Sequence, residues 1–181
     1  MMTVLSLCDY TGEWSKPYRE AGYDVVQVDI KHGQDVRLLR HMGPVRGILA
    51  APPCTEMASS GARWWEEKGE GALLGALAVV DACCRIILAH RATVMWWVLE
   101  NPVGRLRHYL GDPRMAFDPC DYGDPYTKRT LLWGDFKEPV MARVPAFEGS
   151  KMHLLPPSPE RATLRSVTPS GFARAFFEAN P

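Results

Sequence analysis

Five short clusters in the sequence carry side chains able to do chemistry. The sharpest is Pro52-Pro53-Cys54-Thr55. Two prolines fix an abrupt turn. A thiol held there is a nucleophile where its neighbours lower its pKa, and a packed small hydrophobe where they do not. Glu100-Asn101-Pro102 offers a carboxyl that, once buried, can keep its proton and donate it to a ring nitrogen; the alternative is a helix-capping pair. Lys128-Arg129, within residues 124–130, sets two cations beside an aromatic, suited to a phosphate, a base edge or a solvated hairpin face. Asp29, at the end of an apolar run, either accepts from two ribose hydroxyls or faces solvent, and Asp35 follows as a weaker candidate. In Asp9-Tyr10-Thr11-Gly12-Glu13-Trp14 the glycine either admits a ligand close to the backbone or closes an ordinary turn. The segment is not GxGxxG, which weakens a dinucleotide site.

The elements that must position these clusters are legible as apolar runs. Residues 3–8, 24–30, 46–51 and 94–99 read as buried strands, and the last two stop at Pro-Pro and Asn-Pro. Residues 15–21 predict a short helix, with Ser15 as cap, Pro17 in the first turn and Gly22 at its end. Residues 69–91 have helical spacing and predict a long helix. Residues 126–136 predict a further strand centred on Thr130-Leu131-Leu132-Trp133, and residues 166–180 end in a helix. Trp64-Trp65-Glu66-Glu67-Lys68 reads as a lid or as the start of the long helix. Strands too apolar for a solvated face, alternating with helices, predict an α/β fold with a doubly wound, mostly parallel sheet. Ligands in such folds sit beyond the C-terminal ends of the strands. Each of the clusters at 9–14, 29, 52–60 and 100–103 falls there, which marks an active site.

Composition narrows the remaining possibilities. The 181 residues, 46% hydrophobic and 23% charged, suit one globular domain and exclude a disordered chain. Twenty-one basic and 21 acidic residues cancel, so a nucleic-acid surface would have to be a local basic face. Six tryptophans serve packing or stacking. Five cysteines without CxxC spacing point to reduced thiols and a cytoplasmic protein, with Cys83-Cys84 packed inside the long helix. His41, His90, His108 and His153 are scattered, so no metal is expected. No signal peptide and no uninterrupted apolar stretch of about 20 residues predict a chain without a membrane partner.

In this order the clusters resemble those of the DNA cytosine-5 methyltransferases. Leu5-Ser6-Leu7-Cys8-Asp9 through Gly12 is similar to the family's first S-adenosylmethionine motif, and Val28-Asp29 to its acidic ribose position. Pro53-Cys54 resembles the proline-cysteine nucleophile motif, Glu100-Asn101 the Glu-Asn motif, and Thr127-Lys128-Arg129-Thr130 the basic substrate motif. Residues 165–177, with Thr168-Pro169-Ser170-Gly171, resemble the family's returning C-terminal helix. The resemblance covers residues 3–135 and 164–180.

The resemblance implies a Rossmann-like S-adenosylmethionine-dependent methyltransferase fold and methylation of cytosine carbon-5 in DNA. It assigns catalysis to Cys54, Glu100, Asn101 and Arg129. Cofactor contacts are implied for Cys8, Asp9, Tyr10, Thr11 and Gly12, and for Asp29, Ile30, Asp35 and Pro52. Substrate contacts are implied for Pro53, Thr55, Ser59, Pro102 and Lys128. A free cytosine nucleotide or RNA as substrate, or a non-catalytic binding module, are the alternatives. The chain departs from the family pattern at several points. Its first motif has one glycine, Thr55 and Pro102 stand where Gln and Val are common, and Lys128-Arg129 replaces two spaced arginines. Residues 136–163 occupy the place of a much larger target-recognition region. The expectation is therefore one catalytic domain over residues 1–181, with 136–163 a reduced irregular insertion. A second protein chain is then a candidate source of sequence recognition. Small proteins of this kind resemble those carried by bacterial viruses.

Overall fold

The computed structural model describes residues 2–181; Met1 and the side chain of His153 lie outside the description. Four apolar runs become parallel strands: β1 (Thr3–Leu7), β2 (Asp24–Val28), β3 (Gly47–Ala50) and β4 (Trp96–Pro102). Successive side chains on a strand face opposite ways, and here both faces are apolar. Leu5, Leu7, Ile48, Ala50 and Leu99 enter one core, while Val4, Leu49, Trp96 and Val98 enter the other. Burial on both faces is why these strands read as continuous rather than alternating runs.

Helices cover the two faces. Helix α1 (Lys16–Glu20) links β1 to β2 and buries Tyr18 in the second core; Pro17 opens it, because a first-turn residue needs no hydrogen-bonded N–H. Helix α2 (Trp65–His90) links β3 to β4 and lays Val80, Cys83, Ile86 and Ile87 on the first core. The helical run 59–90 is long and apolar enough to cross a membrane by length and composition alone, but this buried stripe makes it a core helix. Gly69, at φ 70°, breaks α2 one turn after its start, so Trp65 to Lys68 form a separate turn. The remaining helices are α3 (Arg107–Leu110), α4 (Lys151–Leu154), α5 (Arg161–Ser166) and α6 (Ser170–Ala179). In α6, Phe172 stacks on Phe117 at 3.9 Å, and Phe176 packs edge-on against Trp14 and Trp96.

Two expectations are corrected. The sheet is mixed, with order β2-β1-β3-β4-β6-β5. Strands β5 (Met115–Phe117) and β6 (Thr130–Asp135) pair antiparallel to each other, and β6 runs antiparallel to β4. Parallel pairing needs a long crossover over a sheet face. Between β4 and β6 the only helical segments are the four-residue α3 and a single 3-10 turn at Pro119–Tyr122, too short for a crossover, so the chain doubles back instead. The parallel, two-faced part is therefore confined to β2-β1-β3-β4. Second, Asn101-Pro102 does not stop β4. The strand continues because β6 supplies partners: Glu100 opposite Leu132, Asn101 opposite Leu131 and Pro102 opposite Thr130. Proline takes the final rung, where a missing donor matters least. Residues 136–163 hold α4, two turns and the start of α5 within otherwise irregular backbone, and are pinned where Ala142 and Val144 donate backbone bonds to Asp121 and Cys120.

Candidate active site

The strand register puts the chemical residues in one row. Val28, Leu7, Ala50 and Leu99 lie side by side across the sheet. The next residue on each strand is therefore Asp29, Cys8, Ala51 and Glu100, all on the C-terminal edge. Three strand spacings separate the outer two, about 14 Å. The connection after β1 runs outward to β2 and the one after β3 runs the other way to β4, so the crevice that binds ligands in open α/β sheets lies between β1 and β3.

On the β3–β4 side, two clamps hold the Cys54 loop. Asn101, fully buried, donates from Nδ2 to the Pro52 carbonyl at 2.9 Å, while its Oδ1 is buried without a partner. Beyond Cys54 the backbone makes a tight turn, with Met57 and Ala58 N–H groups both donating to the Cys54 carbonyl at 2.9 and 2.8 Å. It then bridges to the segment after β4: Ser59 N–H donates to Val103 O at 2.8 Å and Arg105 N–H to Met57 O at 2.9 Å. Gly104 allows this approach, because a Cβ there would sit 1.9 Å from the Met57 carbonyl oxygen. Glu56 is held from outside by Lys68 at 2.8 Å, and Arg105 lies 4.3 Å over the Trp65 ring. The turn at Trp65 to Lys68 is thus fastened against the loop.

Cys54 is partly buried, and its environment is electrostatically mixed. Burial raises the thiol pKa most, the Glu100 carboxyl raises it further, and Lys128 and Arg165 pull it down. Glu100 is crowded on all sides although it keeps some exposed surface; burial raises its carboxyl above the usual range against the pull of Lys128. Burial thus pushes both groups toward their protonated forms, while two cations favour the thiolate. A small cleft opens beside Glu100, lined also by Phe117, Lys128, Thr130, Pro169 and Phe172. A second, wider cleft lies elsewhere, between α1 and α6, and contains none of these groups. Pro53, Thr55 and Ser59 are exposed around the loop; Ser59 Oγ bonds to Val103 O at 2.9 Å. Arg129 turns away to Asp118 at 3.2 Å.

On the β2–β1 side, Cys8 has a left-handed backbone (φ 58°), and its N–H donates to Val28 O at 2.7 Å. Asp9 is buried, and its carboxylate organises the loop by accepting from Ser6 Oγ, Gly12 N–H and Ser15 Oγ at 2.8, 3.0 and 3.1 Å. Gly12 (φ 69°) lies under the Arg19 guanidinium, which bonds to the Gly12 carbonyl, Ser15 and Gln27. Gln27 donates to the carbonyls of Asp9 and Tyr10. Thr11 Oγ1 accepts weakly from Glu13 N–H at 3.5 Å. Tyr10, partly exposed, lies under Lys31 at 4.4 Å and beside His32. One Asp29 oxygen accepts from Lys31 N–H at 2.8 Å; the other accepts nothing from the described residues, and Ile30 beside it is 66% exposed. Asp35 is taken by Arg37, whose hydrogen bonds hold its carboxyl below the usual range.

The structure thus brings together Cys54, Glu100, Asn101, Pro52 and Lys128, and separately Cys8 to Gly12 with Asp29 and Ile30. Sequence reasoning missed Arg165 and Gly104. Gly104 stands two residues after the Glu100-Asn101-Pro102 motif, which is a usable signal for a close backbone approach. Arg165 has none, since its partner Ser60 is 105 residues away. Among the described residues, no three His, Cys, Asp or Glu side chains converge as a metal site would require.

Fold and site together define an α/β domain with a thiol on the loop after β3 beside a crowded carboxyl in the adjacent strand β4. No protein-family model and no curated protein matches the chain. Solved structures do match, among them a protein of Escherichia coli assigned as a DNA modification methyltransferase encoded within a prophage. It has 19% identity, a TM-score of 0.48, and coverage of 74% of this chain and 46% of that one. The chain thus spans less than half the length of that neighbour.

Proposed function

We propose that the chain transfers a methyl group from S-adenosylmethionine to carbon-5 of cytosine in DNA through a covalent Cys54 adduct. The observation that carries this reading is the approach of Cys54, on the loop after β3, to Glu100 in the neighbouring parallel strand β4, with Lys128 and Arg165 acting on the thiol. The resemblance of Pro53-Cys54 and Glu100-Asn101 to the cytosine-5 family's motifs supports the same assignment.

The residues at the crevice suit the cofactor. Asp29 has a carboxylate oxygen left for ribose hydroxyls, and Ile30 offers an exposed apolar face for the adenine. The turn at Cys8 to Gly12 is held open by its own Asp9, so the backbone of Tyr10, Thr11 and Gly12 rather than the Asp9 side chain would meet it. Asp35, engaged by Arg37, and Pro52, buried under Asn101, act at most through their backbones. When bound, the cofactor supplies an electrophilic methyl on sulfonium.

The chain's own groups do the rest. Cys54 loses its proton, helped by Lys128 and Arg165, and its sulfur bonds to cytosine carbon-6. Glu100, whose protonated form burial favours, donates to ring nitrogen-3, so the electron pair released from the 5,6 double bond moves to carbon-5. After methyl transfer, water takes the carbon-5 proton, the pair left behind re-forms the 5,6 double bond, the carbon-6–sulfur bond breaks with its electrons on Cys54, and nitrogen-3 returns its proton to Glu100. Asn101 holds the Pro52 carbonyl and so fixes the distance between the two groups. Pro53, Thr55 and Ser59 line the exposed approach, and in duplex DNA the base must leave the stack. Arg129, exposed and paired with Asp118, is assigned to the DNA approach rather than to the thiol.

A trapping experiment tests this reading. With S-adenosylmethionine present, DNA containing 5-fluorocytosine is expected to form a denaturation-resistant adduct with the wild type, because fluorine cannot leave as a cation. Cys54→Ser is expected to form none. An adduct that persists in Cys54→Ser, or none with a wild type shown to bind both ligands, would overturn the proposal.

A further inference from the structure

Most cations around the Cys54 mouth already have partners. Lys68 is bonded to Glu56 at 2.8 Å and Arg129 to Asp118 at 3.2 Å. Arg105 donates to the Glu56 carbonyl at 2.7 Å and lies over Trp65. Lys128 faces Glu100 and reaches the Val167 carbonyl at 3.4 Å. Arg165 differs. Its guanidinium donates to the neutral Ser60 hydroxyl at 3.2 Å, and among the described residues no carboxylate lies within ion-pair reach. A guanidinium has five donors in a planar fork, which matches two oxygens of a phosphate. Here most of that fork is unspent.

The element that carries Arg165 is equally telling. Helix α5 buries no residue of its own. It is fastened across the C-terminal edge of the sheet by polar tethers: Lys31, beyond β2, donates to Thr163 at 2.9 Å, and Arg165 reaches Ser60, beyond the Cys54 turn. A strap with no apolar anchor is held by what it spans, and this one spans both halves of the crevice. Ser60 is exposed, so the fork lies at the rim of the site and not in the enclosed cleft beside Glu100. An anion at that rim, beside a base entering toward Cys54, is the phosphate of the strand that carries the base.

We infer that Arg165, presented by the α5 strap, anchors a backbone phosphate of the DNA strand next to the target nucleotide. This rests on the function proposed above and adds a substrate contact at a residue to which the resemblance gives no role toward DNA.

The test measures binding without cofactor. A fluorescein-labelled, unmethylated oligonucleotide duplex is titrated by anisotropy over a series of salt concentrations. Each phosphate contact contributes about 0.9 to the slope of log K against log salt. Arg165→Gln is expected to reduce the slope by about one such unit and weaken binding at low salt. Arg165→Lys keeps the charge and most of the slope, and Ser60→Ala, which removes only the internal tether, keeps all of it. A wild-type slope in Arg165→Gln, with slower iodoacetamide capture of Cys54, would overturn the inference and make Arg165 a residue that only tunes the thiol. Failure of the wild type to bind any oligonucleotide would remove this inference together with DNA as the substrate. Methylation of DNA by the wild type, beside an unchanged Arg165→Gln slope, would remove this inference alone.

Discussion

Gly104→Ala tests whether the bridge between the two loops sets the Cys54–Glu100 geometry. An added Cβ would lie 1.9 Å from Met57 O, 2.7 Å from Met57 C and 2.9 Å from Ala58 Cα, all backbone atoms with no rotamer to relieve them. The two segments must part by about 1 Å or more. That displacement breaks the Ser59 N–H to Val103 O and Arg105 N–H to Met57 O bonds, now 2.8 and 2.9 Å, and the Ser59 hydroxyl bond to Val103 O. At about 1 kcal/mol each the loss is roughly 3 kcal/mol. Alanine recovers about 0.4–1 kcal/mol by stiffening the unfolded chain, since Gly104 has no positive φ to defend. The expected net cost is about 2 kcal/mol, read as a lower urea midpoint, with Cys54 alkylated at a changed rate by iodoacetamide. A variant within about 0.5 kcal/mol of the wild type, with unchanged alkylation, would refute the bridge as the clamp.

Three further outcomes follow from the same contacts. Cys54 alkylation should be slow at neutral pH and rise only above the usual thiol range of about 8.5; Glu100→Gln should move that rise to lower pH and Lys128→Gln to higher pH, and the opposite order would contradict the charge assignment. Glu100 holds its proton more tightly folded than unfolded, so its contribution to stability is fullest below the unfolded value of about 4.3 and is lost as pH rises through the folded value. Urea midpoints should therefore show Glu100→Gln gaining on the wild type between pH 4 and 7, and no gain would mean the carboxyl is solvated. Asn101→Ala removes the buried bond to Pro52 O and should cost about 1–3 kcal/mol, with a larger loss in methyl transfer than in DNA binding if Asn101 positions the loop.

The parallel half of the sheet was legible because burial on both faces leaves unbroken apolar runs such as Ile48-Leu49-Ala50. The clusters at the strand tips were legible for a related reason: a strand end in a parallel sheet must turn, and turn residues there stand out. What escaped depends on pairing that local pattern does not encode. Asn101-Pro102 looked like a stop, yet β6 arrives from 29 residues on to pair with it. Strand β5 is three residues between proline-rich turns, too short for any period to show. Asp9 was expected to contact the cofactor, but Ser6, Gly12 and Ser15 converge on its carboxylate. The resemblance assigns Arg129 to catalysis; in the structure it pairs with Asp118, and Lys128 and Arg165 are the cations that bear on the Cys54 thiol, because α5 folds back over the sheet edge.

The central claim is methyl transfer that depends on Cys54. Purified protein would be incubated with methyl-labelled S-adenosylmethionine and unmethylated DNA, beside Cys54→Ala, and the DNA digested to nucleosides. The account predicts label in 5-methylcytosine with the wild type and none with Cys54→Ala. Label in another nucleoside, or equal label in both proteins, would contradict it.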